Sequence, residues 1–349
     1  MPALKRSIAR KANIRKVAEA AGVSLITASR AISGRGIVAE ATRKRVLAVA
    51  QRLKYRPNRL VPAIMGGRTR TVGVMVPIGS WFQAQVIRGI HDTLSEQAYL
   101  PIVHFHGNGP GALRDNEELK FVHRLIDHRV DGLIFFPSDE SVPENYLKEV
   151  WGRGLPLVAV DRRLARTNAD FSGTDDKAGG RMAAKFLLSL GHRRITHITG
   201  ERWVSTYSDR RRGFEAVIHD RTDMTYRCVE CEKSDCEAIA RDILQAPDRP
   251  TAIFAASDKM ATHVYAAAEV AGLRIGSDLS VVGFADLIEA HGLRPRLTTV
   301  RQDATAIGAN AARLLLDRLE DRVSSNEPRT IRLMPEFMIR DSCGMSSLT

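Results

Sequence analysis

The stretch NIRKVAEAAGVSLITASRAISGRG, residues 13–36, decides how the first part of the chain folds. Ile14, Val17, Ala18 and Ala21 recur at spacings of three and four, which marks one face of a helix. Gly22 follows, and glycine accepts the positive φ that ends a helix and turns the chain. Ala18 is small enough for a second helix to cross closely. Ser24 is placed to cap that helix, its hydroxyl accepting from the N–H of Ile26 or Thr27, while Ala28, Ala31 and Ile32 face inward. A third helix reads over residues 39–55, with Val46, Leu47, Val49, Ala50 and Leu53 as its buried stripe and Arg43, Lys44, Arg45, Arg52 and Lys54 on the wet side. Ala39 brings no capping oxygen to its start. Three short helices with a glycine turn between the first two form a DNA-binding helix-turn-helix. The second helix of such a module reads the major groove. Leu25 and Ile26 are then placed for thymine methyls and Arg30 for a guanine; the hydroxyls of Thr27 and Ser29 suit phosphates.

Charge supports that reading. Residues 1–70 hold 17 Lys and Arg against Glu19 and Glu40, a balance of +15, so with the whole chain at +12 the remaining 279 residues carry −3. The excess positive charge is confined to the segment expected to face a polyanion. The basic segment at residues 1–12 has no apolar core or small-residue cleavage site of a signal peptide, and no run of about 18 apolar residues follows. The reading is a cytoplasmic protein with no membrane partner.

Beyond Thr71 the pattern changes to short apolar runs at residues 72–76, 102–105, 132–136, 157–160, 195–199, 252–255 and 280–284, separated by amphipathic helical stretches. Near-continuously apolar strands alternating with helices imply parallel sheets covered on both faces. Ligands of open α/β sheets settle outside the carboxyl ends of the strands. The candidates for an effector site are therefore Ser80, Trp81, Phe82, Asp161, Arg162, Arg210, Ser257, Asp258 and Asp286.

The run VAEAAGVSLITASRAISGRG, then TRKRVLAVAQRLKYRPN, closely resembles the DNA-binding domain of the lactose-repressor (LacI/GalR) family of bacterial regulators. The likeness continues in order through TRTVGVMVP, RVDGLIFFPSD, LVAVDRRL, LGHRRITHITG, PTAIFAASDKMA, DLSVVGFAD and RLTTVRQD. It implies an all-α helix-turn-helix domain followed by an α/β periplasmic-binding-protein-like core of two doubly wound parallel-sheet subdomains. The division expected is a basic tail at 1–12, the DNA-binding domain at 13–57, a hinge at 58–70, a core at 71–344 and a tail at 345–349. Within the core, one subdomain takes about 71–172 and 302–331, the other about 173–301 and 332–344.

The resemblance also implies a hinge helix that forms on DNA and wedges into the minor groove, with Asn58, Arg59, Val61 and Ile64 as its contacts. Pro62 departs from the family pattern and lacks the N–H for the first helical bond, so a less helical hinge is expected. In the core, Arg210 matches the arginine that holds sugar hydroxyls and Asp161 a pocket aspartate; Cys231 falls where the family places an aromatic. Ser257 and Ala285 replace a usual asparagine and aspartate. With that acid missing and arginines gathered at 162, 163 and 210–212, the expected effector is an anionic sugar acid or sugar phosphate. The function implied is repression of a carbohydrate or sugar-acid operon by a homodimer on a pseudo-palindromic operator. The alternative is a sugar-type solute-binding or sensor protein with no transcriptional role.

Catalysis finds no support in the residues. Gly107, Gly109 and Gly111 lack the third position of the dinucleotide fingerprint, and Pro110 breaks the helix start that would hold phosphate. No G-x-S-x-G, H-E-x-x-H or phosphate-loop signature occurs, and no cofactor is called for. Cys228, Cys231 and Cys236, with His219 upstream, have no second CxxC to complete a zinc site. Reduced thiols and no metal are expected.

Overall fold

The computed structural model describes residues 13–34, 36–55, 68–77, 79–106, 117–137, 149–164, 167, 169–231, 235–323 and 327–346. The chain divides into two compact units, Met1–Thr69 and Arg70–Thr349.

In the first unit, α1 (Ile14–Ala21) starts at Asn13, whose side chain accepts from Lys16 N, and ends at Gly22 with φ 64°. α2 (Leu25–Ser33) is capped by Ser24, whose Oγ accepts from Thr27 N at 3.1 Å, and stops at Gly34 with φ 71°. α3 (Glu40–Arg52) begins at Ala39 with no side-chain cap. Val17, Ala18, Ala21, Ala28, Ala31, Val46, Val49 and Ala50 form the core of the unit. Leu47 corrects the expected stripe: it is 45% exposed, because 46, 49, 50 and 53 share one face of a 3.6-residue helix and 47 lies about 100° away. The hinge residues Asn58, Arg59, Val61, Pro62 and Ile64 lie outside the described residues.

The second unit holds two six-stranded sheets. Its elements are β1 (Thr71–Pro77), α4 (Trp81–Glu96), β2 (Leu100–His106), α5 (Glu117–Asp127), β3 (Gly132–Phe135), β4 (Leu157–Val160), β5 (Asp170–Thr174), α6 (Asp176–Ser189), β6 (Arg194–Thr199), α7 (Ser205–Ile218), β7 (Thr225–Glu230), α8 (Cys236–Gln245), β8 (Ala252–Ala255), α9 (Asp258–Val270), β9 (Ser280–Ala285), β10 (Thr298–Arg301), α10 (Ala304–Leu319), β11 (Thr330–Leu333) and β12 (Glu336–Met338). The first sheet runs β11-β5-β4-β3-β1-β2, all parallel. The second runs β12-β10-β9-β8-β6-β7, with β12 its one antiparallel member.

The chain passes between the sheets three times, after β5, after β10 and after β11. The expected boundaries near Ser172 and Ile331 move to Thr174 and Leu333, because β5 and β11 pair with each other through Gly173↔Arg332 and Thr174↔Leu333. β3, β4 and β8 are buried throughout, as strands covered on both faces must be. In the second subdomain α6 and α7 touch at glycines: a Cβ on Gly180 or Gly213 would stand 2.1 Å from the carbonyl oxygen of Arg210 or Lys177. That contact seats Arg210 beside the start of α6. Among the described residues no helix is long and apolar enough to cross a membrane.

The expectation of reduced thiols is corrected at one pair. Cys231 and Cys236 form a disulfide; the end of β7 and the start of α8 bring their Cα atoms to 5.4 Å, inside the range a disulfide spans. Cys228 and Cys343 are free thiols.

Candidate functional site

The reading helix presents the side chains that its periodicity turns outward. Leu25 is 45% and Ile26 64% exposed, and Ser29 and Arg30 are exposed beside them. Thr27 is half-buried, and its hydroxyl shares a 2.8 Å hydrogen bond with the Ser24 hydroxyl, so it serves the cap first. The stem of Arg30 lies against Gly36, where an added Cβ would come within 3.2 Å of Arg30 Cδ. Ile37, not singled out in the sequence, is wholly exposed.

In the second unit, a cavity of about 450 Å³ opens where the two subdomains meet. Trp81, Phe82 and Gln85 of α4 form one wall and Ala285, Asp286 and Leu287 the other; the crossovers supply residues 301–305, Met334 and Glu336. Trp81 is half-exposed. Phe82 is buried edge-on to Phe136, ring centres 6.5 Å apart. Gln302 donates through Nε2 to Thr174 Oγ1 at 2.7 Å, tying two crossovers together. Asp286, at a positive φ of 55°, accepts from Arg301 Nε at 2.8 Å and Arg340 Nη2 at 2.6 Å. Burial opposes its charge, but those two hydrogen bonds prevail and hold its carboxyl below the usual range.

Arg210 is buried in an ion network at the same junction. It donates through Nε to Asp176 at 2.8 Å and through Nη1 to the Ala256 carbonyl at 2.6 Å, and its guanidinium carbon sits 3.7 Å from the centre of the Phe284 ring. Burial pushes the Asp176 carboxyl up to about 7; Arg210 opposes this, while Asp161 and Asp209 add to it. Burial likewise raises Asp161, against Arg162 and Arg210. Arg163 crosses from the first subdomain to Asp209 on α7 at 2.9 Å. Arg162 donates to the Pro137 carbonyl at 3.4 Å and lies over the Phe136 ring.

Of the strand-end candidates, Trp81, Phe82 and Asp286 line the cavity. The others have local commitments. Ser80 starts α4 with its N–H and hydroxyl both on Gln83 Oε1, and Ser257 caps α9 through Met260 N. Asp258 is wholly buried, accepting from Thr299 Oγ1 and Leu287 N at 2.6 Å each; burial raises its carboxyl to about 6. Cys231 is in the disulfide. The sequence reading passed over Gln85, Arg301 and Gln302 as site residues, although Arg301 and Gln302 stand in the RLTTVRQD landmark. Among the described residues, the cavity lining carries Asp286, Asp303 and Glu336 against Arg301.

A model of bacterial regulatory proteins of the lacI family matches residues 13–58, and one of the periplasmic binding protein-like domain matches residues 184–343. The HTH-type transcriptional repressor PurR of Vibrio vulnificus is 30% identical over 342 residues, covering 95% of this chain and 98% of that protein. PurR of Aliivibrio fischeri is 31% identical over 339 residues with the same coverage. Among solved structures, the lac repressor dimer bound to operator and the anti-inducer ONPF superposes with a TM-score of 0.80 at 25% identity, over 95% of this chain and 99% of that one. The regulator CelR in complex with cellobiose gives 0.69 at 28%, with the same coverage.

Proposed function

We propose that this chain, which belongs to the lacI family of bacterial regulatory proteins, is a transcriptional repressor whose operator affinity is set by a small molecule held in the cavity between its core subdomains. The observation that carries the reading is the pairing of two features in one chain. One is a helix-turn-helix, within a segment at residues 1–70 that carries a net charge of +15, with an outward face of Leu25, Ile26, Ser29 and Arg30. The other is a cavity built from both subdomains and their crossovers. A ligand touching both walls binds some subdomain arrangements better than others, and only such differential binding shifts an equilibrium. A solute-binding role alone leaves residues 13–55 without a task.

Leu25, Ile26 and Arg30 are assigned to base edges, Thr27 and Ser29 to phosphates, and Asn58, Arg59, Val61 and Ile64 to the hinge contacts. Two copies on a pseudo-palindromic operator complete the assembly. For the effector, the lining favours a neutral hydroxylated ring over the anion that the arginines suggest in the sequence. Arg163 and Arg210 are held by Asp209 and Asp176, and acids predominate around the cavity. The half-exposed ring of Trp81 suits the apolar side of a sugar ring, with Gln85 and Gln302 as hydroxyl partners. The structural relative CelR holds cellobiose, in line with that class.

Selection of DNA from random sequence, with and without a panel of neutral sugars, sugar acids and sugar phosphates, tests the proposal. A consensus with two-fold symmetry whose recovery changes with one sugar is the expected result. Enrichment of no sequence would overturn the regulatory reading, and a response confined to anions would overturn the effector class.

A further inference from the structure

A second cavity, of about 280 Å³, lies beside the carboxyl ends of β6 and β7, the edge at which doubly wound sheets take ligands. Thr199 and Gly200 form its floor and Glu230 one side; Tyr207, Ser208, Arg211, Arg212 and Glu215 of α7 form another, with Arg202 from the intervening loop. Tyr207, Arg211 and Glu215 are four residues apart and so share a stripe of the helix.

Three guanidinium groups meet two carboxylates here, and the pairing leaves donor capacity unused. Arg202 reaches Glu230 at 2.8 Å and Arg211 reaches Glu215 at 2.7 Å, both through Nε. Arg211 also brings Nη1 to 3.9 Å from Glu230; beyond that contact the terminal nitrogens of the two make no hydrogen bond among the described residues, and Arg212 lies 3.6 Å from Asp209 with most of its side chain exposed. At the floor, Thr199 is 2% exposed and its hydroxyl is buried with no hydrogen-bond partner. A buried hydroxyl left unpaired is destabilising, so this one has reason to meet a ligand. Gly200 allows the Tyr207 ring to press on the floor, since a Cβ there would stand 2.2 Å from the ring.

We infer that this bay binds the phosphate group of a small metabolite, or free phosphate, as a second site apart from the interdomain cavity. A tetrahedral dianion takes the terminal nitrogens of Arg202 and Arg211 and the Thr199 hydroxyl together, and the Tyr207 ring offers an apolar face to an attached carbon skeleton. The inference does not rest on the effector assignment. The site lies on α7, the helix that carries Arg210 into the junction of the subdomains.

Titration calorimetry of the full chain in a non-phosphate buffer, at matched ionic strength, uses inorganic phosphate and glycerol 3-phosphate as probes. Saturable binding is expected, weakened about tenfold by Arg202→Gln or Arg211→Gln and severalfold by Thr199→Val, with Thr199→Ser retaining it. Tighter binding of glycerol 3-phosphate that is lost in Tyr207→Leu identifies a phosphorylated metabolite; equal affinity for both probes identifies free phosphate. Absence of saturable heat with either probe overturns the inference, and so does wild-type affinity in both Arg202→Gln and Thr199→Val.

Discussion

At the scale of single residues, the readable features are those that helix geometry fixes locally. Ile26 and Arg30 had to point outward once Ala28 and Ala31 pointed in, whereas Leu25 is exposed as the first residue of the helix. Arg30 is the main polar reader, so Arg30→Ala should relax discrimination at one base pair per half-site by about 1–3 kcal/mol, measured with operators substituted one pair at a time. Loss spread evenly over all sequences would mark a phosphate contact instead. What the sequence withheld were the commitments of side chains to partners far along the chain. Arg210 is visible in STYSDRRRGF, but its hold on Asp176, 34 positions away, depends on the α6 and α7 packing. That pair has a pH consequence. Asp176 ionises near 7 in the folded protein against an ordinary value of 3.8, so the unfolded chain releases its proton first and stability falls as pH rises from about 4 to about 7. Asp176→Asn lacks that loss. Thermal melts should show the variant gaining on the wild type between pH 5 and 7 and holding a constant difference above 7.5; a difference independent of pH would contradict the burial argument.

Elements are where reading from sequence succeeds or fails as a unit. The three helices of the first unit are legible because caps and glycines mark their ends: Asn13, Gly22, Ser24 and Gly34 each occupy the terminus their chemistry suits. Ala39 is the exception. Giving that position a hydroxyl, Ala39→Ser, should stabilise α3 by about 1 kcal/mol and slow amide exchange in its first turn; unchanged exchange would mean that the N-terminal amides there are already satisfied. The α6 and α7 contact is written in the sequence only as Gly180 and Gly213, which name no partner until the helices are docked. Gly213→Val forces them apart and should cost at least 1–3 kcal/mol, on the order of other overpacked sites, with a matching fall in midpoint temperature. The disulfide was hidden for a similar reason: five positions of spacing do not reveal that β7 ends facing the start of α8.

For the whole molecule, the alternation of apolar runs and helices made two parallel sheets legible, while the crossover points had to be set by pairing, two residues beyond the expected boundaries. The crossovers are also the part of the cavity that strand-end reasoning passed over, since Arg301 ends β10, Gln302 follows it and Met334 follows β11, strands whose ends join the two subdomains rather than close one of them. If the cavity ligand and operator act on one equilibrium between subdomain arrangements, each must change the other's affinity by the same factor. The direct test is a pair of titrations on the full-length protein: operator affinity at zero and saturating sugar, and sugar affinity with and without operator. One common factor is expected from the two experiments, lost when scrambled DNA replaces the operator. Equal operator affinity at both sugar concentrations, with the sugar demonstrably bound, would contradict it.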